Sequence, residues 1–332
     1  MIKRFGKQAM DRRRFMLAGG ALAMGVPSIA TAQEASWPSR PFRVIVAFPP
    51  GSGTDSLARF YGERLGRVFG QNMVIENIGG ANGAIAARAA ARTAPDGYTL
   101  FFGSVSTHAA NAHMMRDPGY DPIRDFAPIS MISINPLGLL VRADFPAQDL
   151  RGFIAHARAN PGVLNYGIGN AGGLGGTHLL SQATGIKAEQ IAYRGTPAAM
   201  TDLLGGRLQF LVTDLGPAVE HLRAGTIRAL AVTTARRVDT LPNIPTMSES
   251  GLPGFEFASW NAIWVPARTP PAIIERLNRE VVKIGESEEA KKYIGGLGIV
   301  STTSTAQALG EFNQKELAQW ARIATEANVT KE

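Results

Sequence analysis

Hydrophobic positions along the chain follow two alternating rhythms. Short, nearly unbroken apolar runs read as buried strands, as in Arg43 to Phe48 with Val44, Ile45 and Val46 at its centre. Longer stretches with apolar residues three and four apart read as helices, as in Leu57, Phe60, Tyr61, Leu65 and Val68, with Gly70 placed where a helix C-terminal glycine belongs. Met73 to Glu76 is then a short strand, followed by the turn Gly79-Gly80-Ala81-Asn82-Gly83 and a helical stretch over Ala84 to Ala94. Pro95-Asp96-Gly97 turns the chain into a further apolar strand, Tyr98 to Phe102. This β-α-β-α-β order predicts a largely parallel sheet covered by helices.

A second unit of the same kind follows Pro136. Leu137 to Val141 is apolar, Leu150 to Ala159 is helical, and Asn160-Pro161-Gly162 stops the helix. Leu164 to Ile168 runs into Gly169-Asn170-Ala171-Gly172-Gly173, and a helix is predicted from about Thr177. Pro197 fits the first turn of another helix. Leu208 to Thr213, a helix around Val219, and Ile227 to Thr233 complete the set, and Ser259 to Val265 is a crossing back. In the helical tail Leu309, Phe312, Leu317, Trp320 and Ala324 share one broad arc. The pattern predicts two α/β lobes with a cleft between them, one of residues 37–135 plus 262–332 and the other of residues 136–261. Ligands of such sheets favour the loops at the carboxyl ends of strands. Four polar, glycine-rich turns occupy that position: Pro49 to Asp55, Gly103 to His108, Gly169 to Thr177 and Thr213 to Pro217.

The first residues do not belong to this pattern. Arg12, Arg13, Arg14 and Phe15 precede a small and apolar run, Met16 to Ala32, that ends in Ala30-Thr31-Ala32. A charged head, an apolar core and an A-x-A site predict a secretory signal peptide over residues 1–32, cleaved after Ala32, and the arginine pair matches twin-arginine export. Gly19, Gly20, Gly25 and Pro27 interrupt the run and argue against a membrane anchor. Removing the leader changes the charge argument. Six basic residues against Asp11 give it a net +5 of the chain's +7, so Gln33 onward carries only +2. Nucleic acid and anionic membranes lose their support as partners. The 300 residues left are enough for a large core, and the absence of cysteine excludes disulfides, zinc thiolates and thiol catalysis.

Catalytic patterns are missing as well. The turn Pro49 to Asp55 lacks the Gly-Lys-Ser/Thr of a phosphate loop, and Ser56 stands at the third glycine position of G-x-G-x-x-G. Read blandly, it is a strand-helix turn capped by Thr54 or Asp55; its free N–H groups equally suit a carboxylate. The five histidines form no His-Glu-x-x-His pair, and no serine sits in Gly-x-Ser-x-Gly. His108 and His178 lie near loop-to-helix junctions, where structural or ligand-lining roles are expected. Arg194 is either a carboxylate partner or a solvated basic residue. No catalytic residue, metal or cofactor is expected.

Several short motifs occur in one order along the chain. Phe48-Pro-Pro-Gly-Ser-Gly-Thr-Asp55, Glu76-Asn77, Pro95-Asp96-Gly97-Tyr98-Thr99-Leu100 and Tyr193-Arg194-Gly195 come first, then Leu204-Gly205-Gly206, Leu230-Ala231-Val232-Thr233, Pro245-Thr246 and Glu249-Ser250-Gly251. On these the chain resembles the substrate-binding proteins of the tripartite tricarboxylate transporter family, the Bug-type periplasmic receptors. The resemblance implies a two-lobed Venus-flytrap fold, each lobe a mixed, mainly parallel sheet flanked by helices. It also implies capture of a small organic acid, delivery to membrane permease subunits, a periplasmic location and a monomer. Pro50, Ser52, Arg194 and Ser250 depart from the family's usual residues. Carried over by position, the first lobe would bind a carboxylate through Phe48, Gly51, Ser52, Gly53, Thr54, Asp55, Ser104, Thr107 and His108. The second lobe would add Ala171, Gly172, Gly173, Thr177, Tyr193, Thr196 and Asp214. An exported hydrolase or lyase acting on a similar acid, and a receptor that signals to a membrane sensor, remain open as alternatives.

Overall fold

A computed structural model of the chain describes residues 37–326 and residue 331; the expected signal peptide lies outside the described residues. The first half opens with β1 (Phe42–Val46), α1 (Gly53–Phe69), β2 (Met73–Asn77), α2 (Ala84–Ala91) and β3 (Thr99–Ser104). A wide π-type turn at Ser106–Ala110 leads into α3 (Asn111–Met114), and β4 (Phe126–Arg142) then runs for 17 residues. The second half holds α4 (Leu150–Ala159), β5 (Asn165–Ile168), α5 (Ala171–Thr184), β6 (Glu189–Ala192), α6 (Thr196–Leu204), β7 (Phe210–Asp214), α7 (Val219–Arg223) and β8 (Ile227–Val232). Return is through β9 (Ala258–Pro266), α8 (Pro271–Gly285), α9 (Glu288–Gly296), β10 (Val300–Ser301) and α10 (Ala306–Glu326).

The strands join in the order β2-β1-β3-β9-β4-β7-β5-β6, with β8 and β10 also pairing with β4. Pairs at the two flanks (β1 with β2 and β3, β5 with β6 and β7) are parallel, as β-α-β connections require. Every pair made by β4 or β9 is antiparallel. The parallel character thus belongs to the two lobes, and the strands running between them are antiparallel.

β4 is the element the hydrophobic pattern shows least well. Its C-terminal part, Leu137 to Val141, pairs with β7, whereas Phe126 to Pro136 pairs with β9. Pro136 stands where the partner changes: its register mate is Ala258, the first residue of β9, and pairing with β7 begins at Leu137. Proline lacks the N–H a ladder needs, so it is tolerated where pairing ends or slips. Pro128 lies beside a register shift for the same reason. Because β4 and β9 serve both lobes, the chain from Pro38 onward holds together as one unit. The tail packs on the first lobe, with α8 against β4 and α1 and α10 against β4.

Candidate functional site

The turn after β1 is built from short-range geometry. The Ser52 N–H donates to the Pro49 carbonyl at 3.2 Å, and Gly51 has φ +80, so Pro49 to Ser52 form a tight turn with glycine at the left-handed position. Ser52, with extended backbone, caps α1 by accepting the Asp55 N–H at 3.2 Å. The cap is therefore Ser52 and not Thr54 or Asp55. Asp55 is instead a tie within the turn. Its Oδ2 accepts the Gly51 N–H and Arg59 Nε, both at 3.0 Å, and its Oδ1 accepts Asn77 Nδ2 at 2.9 Å. Asn77 Nδ2 also donates to the carbonyl of Phe48, whose ring lies in the core. Gly53, the first residue of α1, lies against the other lobe: a Cβ on Gly216 would stand 3.9 Å from its Cα.

Thr54 starts a buried line of polar side chains along the crossing strands. Its hydroxyl donates to Asn261 Oδ1 at 2.8 Å, Asn261 Nδ2 donates to Ser133 Oγ at 3.2 Å, and Ser133 Oγ donates to Asn135 Oδ1 at 2.6 Å. Asn135 in turn faces the carboxyl of Asp214 at the end of β7. Burial raises the Asp214 pKa, and the amides of Asn170 and Asn135 offset part of that rise. Asn170 Nδ2 donates to Asp214 Oδ2 at 2.7 Å, while Asn170 Oδ1 caps α5 by accepting the Gly173 N–H at 2.9 Å. The Asp214 carboxylate thus fixes which way the Asn170 amide points, and the other amide atom holds the helix start. Asn170 Nδ2 also approaches Thr196 Oγ1 at 3.4 Å, and Thr196 lies 3.3 Å from Thr213 Oγ1.

Helix α5 begins six residues before the position its periodicity suggests. Glycines disfavour a helix interior by roughly 1 kcal/mol each, so the sequence reads as a loop up to Thr177. Packing explains their presence here. A Cβ on Gly173 would lie 2.9 Å from the Val212 carbonyl oxygen, and one on Gly176 would lie 2.9 Å from Val212 Cγ1. A Cβ on Gly172 would stand 3.0 Å from that of Ser259. The glycines let α5 settle onto the strands. The opposite face, Ala171, Leu174, His178 and Ser181 at spacings of three and four, lines a cavity of about 920 Å³. Segments 80–82 and 111–115 of the first lobe form the facing wall, and β5, β6 and Arg194 close the second.

Three close approaches join the lobes beside this cavity. The Ala171 N–H, the first of α5, donates to Ser106 Oγ at 3.1 Å, with both residues 1% exposed. A Cβ on Gly195 would lie 2.9 Å from Pro49 Cγ, and Gly216 faces Gly53 as described. The structure therefore brings the expected turns of both lobes together. Of the expected residues, only Ala171 and Tyr193 line the large cavity itself. Ser104 and Thr107 spend their polar groups within their own turn: Ser104 Oγ accepts the Ser106 N–H at 3.2 Å, and Thr107 Oγ1 meets both the N–H and the carbonyl of Ser104.

Two expected residues point elsewhere. Thr177 is 1% exposed and donates its hydroxyl to the Gly173 carbonyl at 2.8 Å, on the buried side of α5. His108 is fully buried and stacks on Trp264 with centroids 3.9 Å apart, edge-on to Phe126. Burial holds its pKa well below the ordinary imidazole value, so it is neutral. Ser106 and Asn170 lie inside the expected turns Gly103 to His108 and Gly169 to Thr177, and Asn261 inside the expected crossing Ser259 to Val265, but none is singled out there as a contact. Asn170 carried a usable signal, an Asn immediately before a helix start; that Ser106 and Asn261 meet the opposite lobe or strand depends on the fold. Among the described residues no His, Asp and Glu groups converge to hold a metal ion, and no helix is long and apolar enough to cross a membrane.

Residues 57–329 match the model of the tripartite tricarboxylate transporter family receptor. The chain belongs to this family. Like BugT of Bordetella pertussis, to which it is 32% identical over 322 residues (96% of this chain and 98% of that one), it matches along nearly its whole length. A solved structure of Rpa4515 from R. palustris with adipate superposes with TM-score 0.87 at 34% identity, covering 89% of this receptor and all of that chain. MatC from Rhodopseudomonas palustris with bound malate gives 0.80 at 29% identity, covering 86% of this receptor and 99% of that chain. The two-lobed periplasmic-binding-protein fold read from the sequence is thus the fold of its relatives, and the receptor family expected from the short motifs is the family found.

Proposed function

We propose that this receptor captures a small organic carboxylate in the cleft between residues 37–135 plus 262–332 and residues 136–261, and delivers it to tripartite permease subunits. One observation carries the reading. The N-terminus of α5, with Asn170 and Ala171 in the cavity wall, meets the Ser106 hydroxyl of the other lobe at the cavity's edge. Amides at a helix start favour an anion; the Ala171 N–H is donated to Ser106 Oγ of the other lobe, and a carboxylate would take that hydroxyl's place as the acceptor. Two further approaches bring turns of the two lobes together, Gly195 to Pro49 and Gly216 to Gly53. Relatives solved with adipate and with malate support a carboxylate. The receptor acts as a monomer and carries out no chemistry on its ligand. The test is a thermal-shift panel of mono-, di- and tricarboxylates followed by calorimetric titration. The bound acid should stabilise the fold by about 2.7 kcal/mol at a hundredfold excess over its Kd. Stabilisation by sugars or simple amines, with no response to any carboxylate, would defeat the proposal.

We propose that the receptor is exported. Residues 1–32 are removed on export by the twin-arginine route, which places the receptor in the periplasm. Replacing Arg12 and Arg13 by lysine should leave the uncleaved precursor in the cytoplasm, seen as a larger band in cell fractionation. Normal periplasmic accumulation of that variant would point to ordinary secretion.

A further inference from the structure

Four consecutive residues at the first-lobe wall of the cavity, Gly80 to Gly83, have positive φ, at +112, +46, +48 and +84. Glycine takes such angles without steric cost and asparagine tolerates them, but alanine does not, and Ala81 is one of the four. Ala81 is exposed, so packing of its methyl does not offset the cost. Hydrogen bonds hold the turn instead. The Gly83 N–H donates to the Gly80 carbonyl at 3.0 Å. Asn111, the first residue of α3 and 0% exposed, grips Asn82 from two directions. Its Oδ1 accepts Asn82 Nδ2 at 2.9 Å, and its Nδ2 donates to the Asn82 carbonyl at 3.2 Å. The same carboxamide reaches the turn that meets the second lobe. Asn111 Nδ2 also donates to the Tyr120 hydroxyl at 3.2 Å, and that hydroxyl donates to the Thr107 carbonyl at 2.7 Å. Thr107 follows Ser106 in the π-type turn, and Ser106 Oγ accepts the Ala171 N–H of the other lobe. Widened turns of this kind recur at functional sites. A Cβ on Gly83 would lie 2.8 Å from Thr107 Cγ2, so the two segments also touch directly.

Resting on the carboxylate reading above, we propose that Asn111 is a positioning residue for the cleft. Its side chain holds Ala81 and Asn82 in their left-handed conformation and, through Tyr120, sets the turn that carries Ser106. Both amide hydrogens and the amide oxygen are engaged in this, one arm on the cavity wall and the other on the interlobe contact. Strained backbone of this kind persists only where its surroundings over-determine it. Without the carboxamide Ala81 relaxes toward negative φ and the wall loses its preset shape. An acid entering the cavity must then order that wall as it binds, which weakens its affinity.

Hydrogen exchange of the intact, ligand-free receptor, read by mass spectrometry over residues 79–83, 104–110 and α8, tests the two arms separately. Asn111→Ala should raise exchange about tenfold at 79–83 and at 104–110 and leave α8 within about twofold. Adding Ala81→Gly should restore most of the protection at 79–83, because glycine takes a positive φ unaided, and none at 104–110. Tyr120→Phe should loosen 104–110 alone, and it keeps the proposal testable if Asn111→Ala does not fold. A residue that only fills the core would show neither the rescue nor the separation of the two segments. Calorimetric titration with adipate and with malate reads the consequence. Either acid that the wild type binds should bind Asn111→Ala about tenfold more weakly and regain affinity severalfold when Ala81→Gly is added. Exchange that rises equally in all three regions, no rescue by Ala81→Gly, or unchanged acid affinity despite a loosened 79–83 would overturn the proposal and leave the carboxylate reading intact. Failure of the wild type to bind any carboxylate would defeat that reading alone, and the exchange results would still decide for or against Asn111.

Discussion

Asp55→Ala is expected to lower the free energy of unfolding by about 3 kcal/mol at pH 7, with most of the loss coming from groups other than its ion-pair partner. The carboxyl is 4% exposed and receives three hydrogen bonds, from the Gly51 N–H, Asn77 and Arg59. Arg59 is 54% exposed, so its pair with Asp55 is screened and contributes little. The Gly51 N–H and the Asn77 amide lose a charged acceptor in a largely dry site, and leaving such donors unmet costs about 1–3 kcal/mol each. Burial by itself would raise the Asp55 pKa, but the hydrogen bonds from Arg59, the Gly51 N–H and Asn77 outweigh it and hold the value below the usual carboxylate range. Stability from a depressed carboxyl is fully present above the unfolded-state pKa of about 3.9 and disappears as pH falls through the folded value. Wild type and Asp55→Ala should therefore differ widely in denaturant midpoint at pH 7, and the gap should narrow as pH falls below about 3.9. Asp55→Asn, which keeps one acceptor, should fall between them. Equal midpoints at pH 7 with a large loss of acid binding would instead place Asp55 on the ligand.

How much of this was visible beforehand follows from which forces act locally. Strands such as Phe42–Val46 and Phe210–Asp214 are runs of apolar side chains bounded by turns, and their position shows directly in the sequence. The tail helices show their apolar faces at helical spacing for the same reason. The N-terminal part of β4 does not, because Pro128 and Pro136 break the run and Ser130, Ser133 and Asn135 look like surface residues. All three polar side chains are buried, and their hydrogen-bond partners sit up to 174 residues away. No local pattern reports a partner at that distance. Helix α5 hides its start in glycines whose purpose is close approach to β7, a tertiary fact overriding propensity. The candidate site divides in the same way. Its turns are legible from glycine, serine and threonine after predicted strands. Which hydroxyls are already occupied within the protein, and that the cavity is walled by one face of α5, depend on packing between lobes.

His108 shows that division as a measurable pH dependence. Its place after the Gly103 turn suggests a ligand contact, whereas its ring is fully enclosed by Trp264, Phe126 and Phe101, with Nδ1 3.0 Å from Thr107 Oγ1. Burial holds the folded-state pKa well below the ordinary 6.5. In the unfolded chain the imidazole takes up a proton near that ordinary value, so the unfolded state binds more protons as pH falls. Stability from His108 is thus complete above about pH 6.5 and is lost below it, by up to about 1.4 kcal/mol per pH unit for one proton. His113, also lowered by burial and by Lys331, adds to the same slope but is common to wild type and variant and cancels in their difference. His108→Asn keeps a short polar group for Thr107 and removes the titration. It should cost about 2 kcal/mol at pH 8, from the gap left against Trp264. Between pH 6.5 and pH 5 the wild type should then lose about 2 kcal/mol more than the variant, so the two stability curves approach each other. This window lies above the one set by Asp55, so denaturation series of the wild type and the two variants separate the two groups. Curves that stay parallel from pH 8 to pH 5 would mean that His108 takes up its proton in the folded state. It would then have access to the cleft, as a ligand-lining residue must.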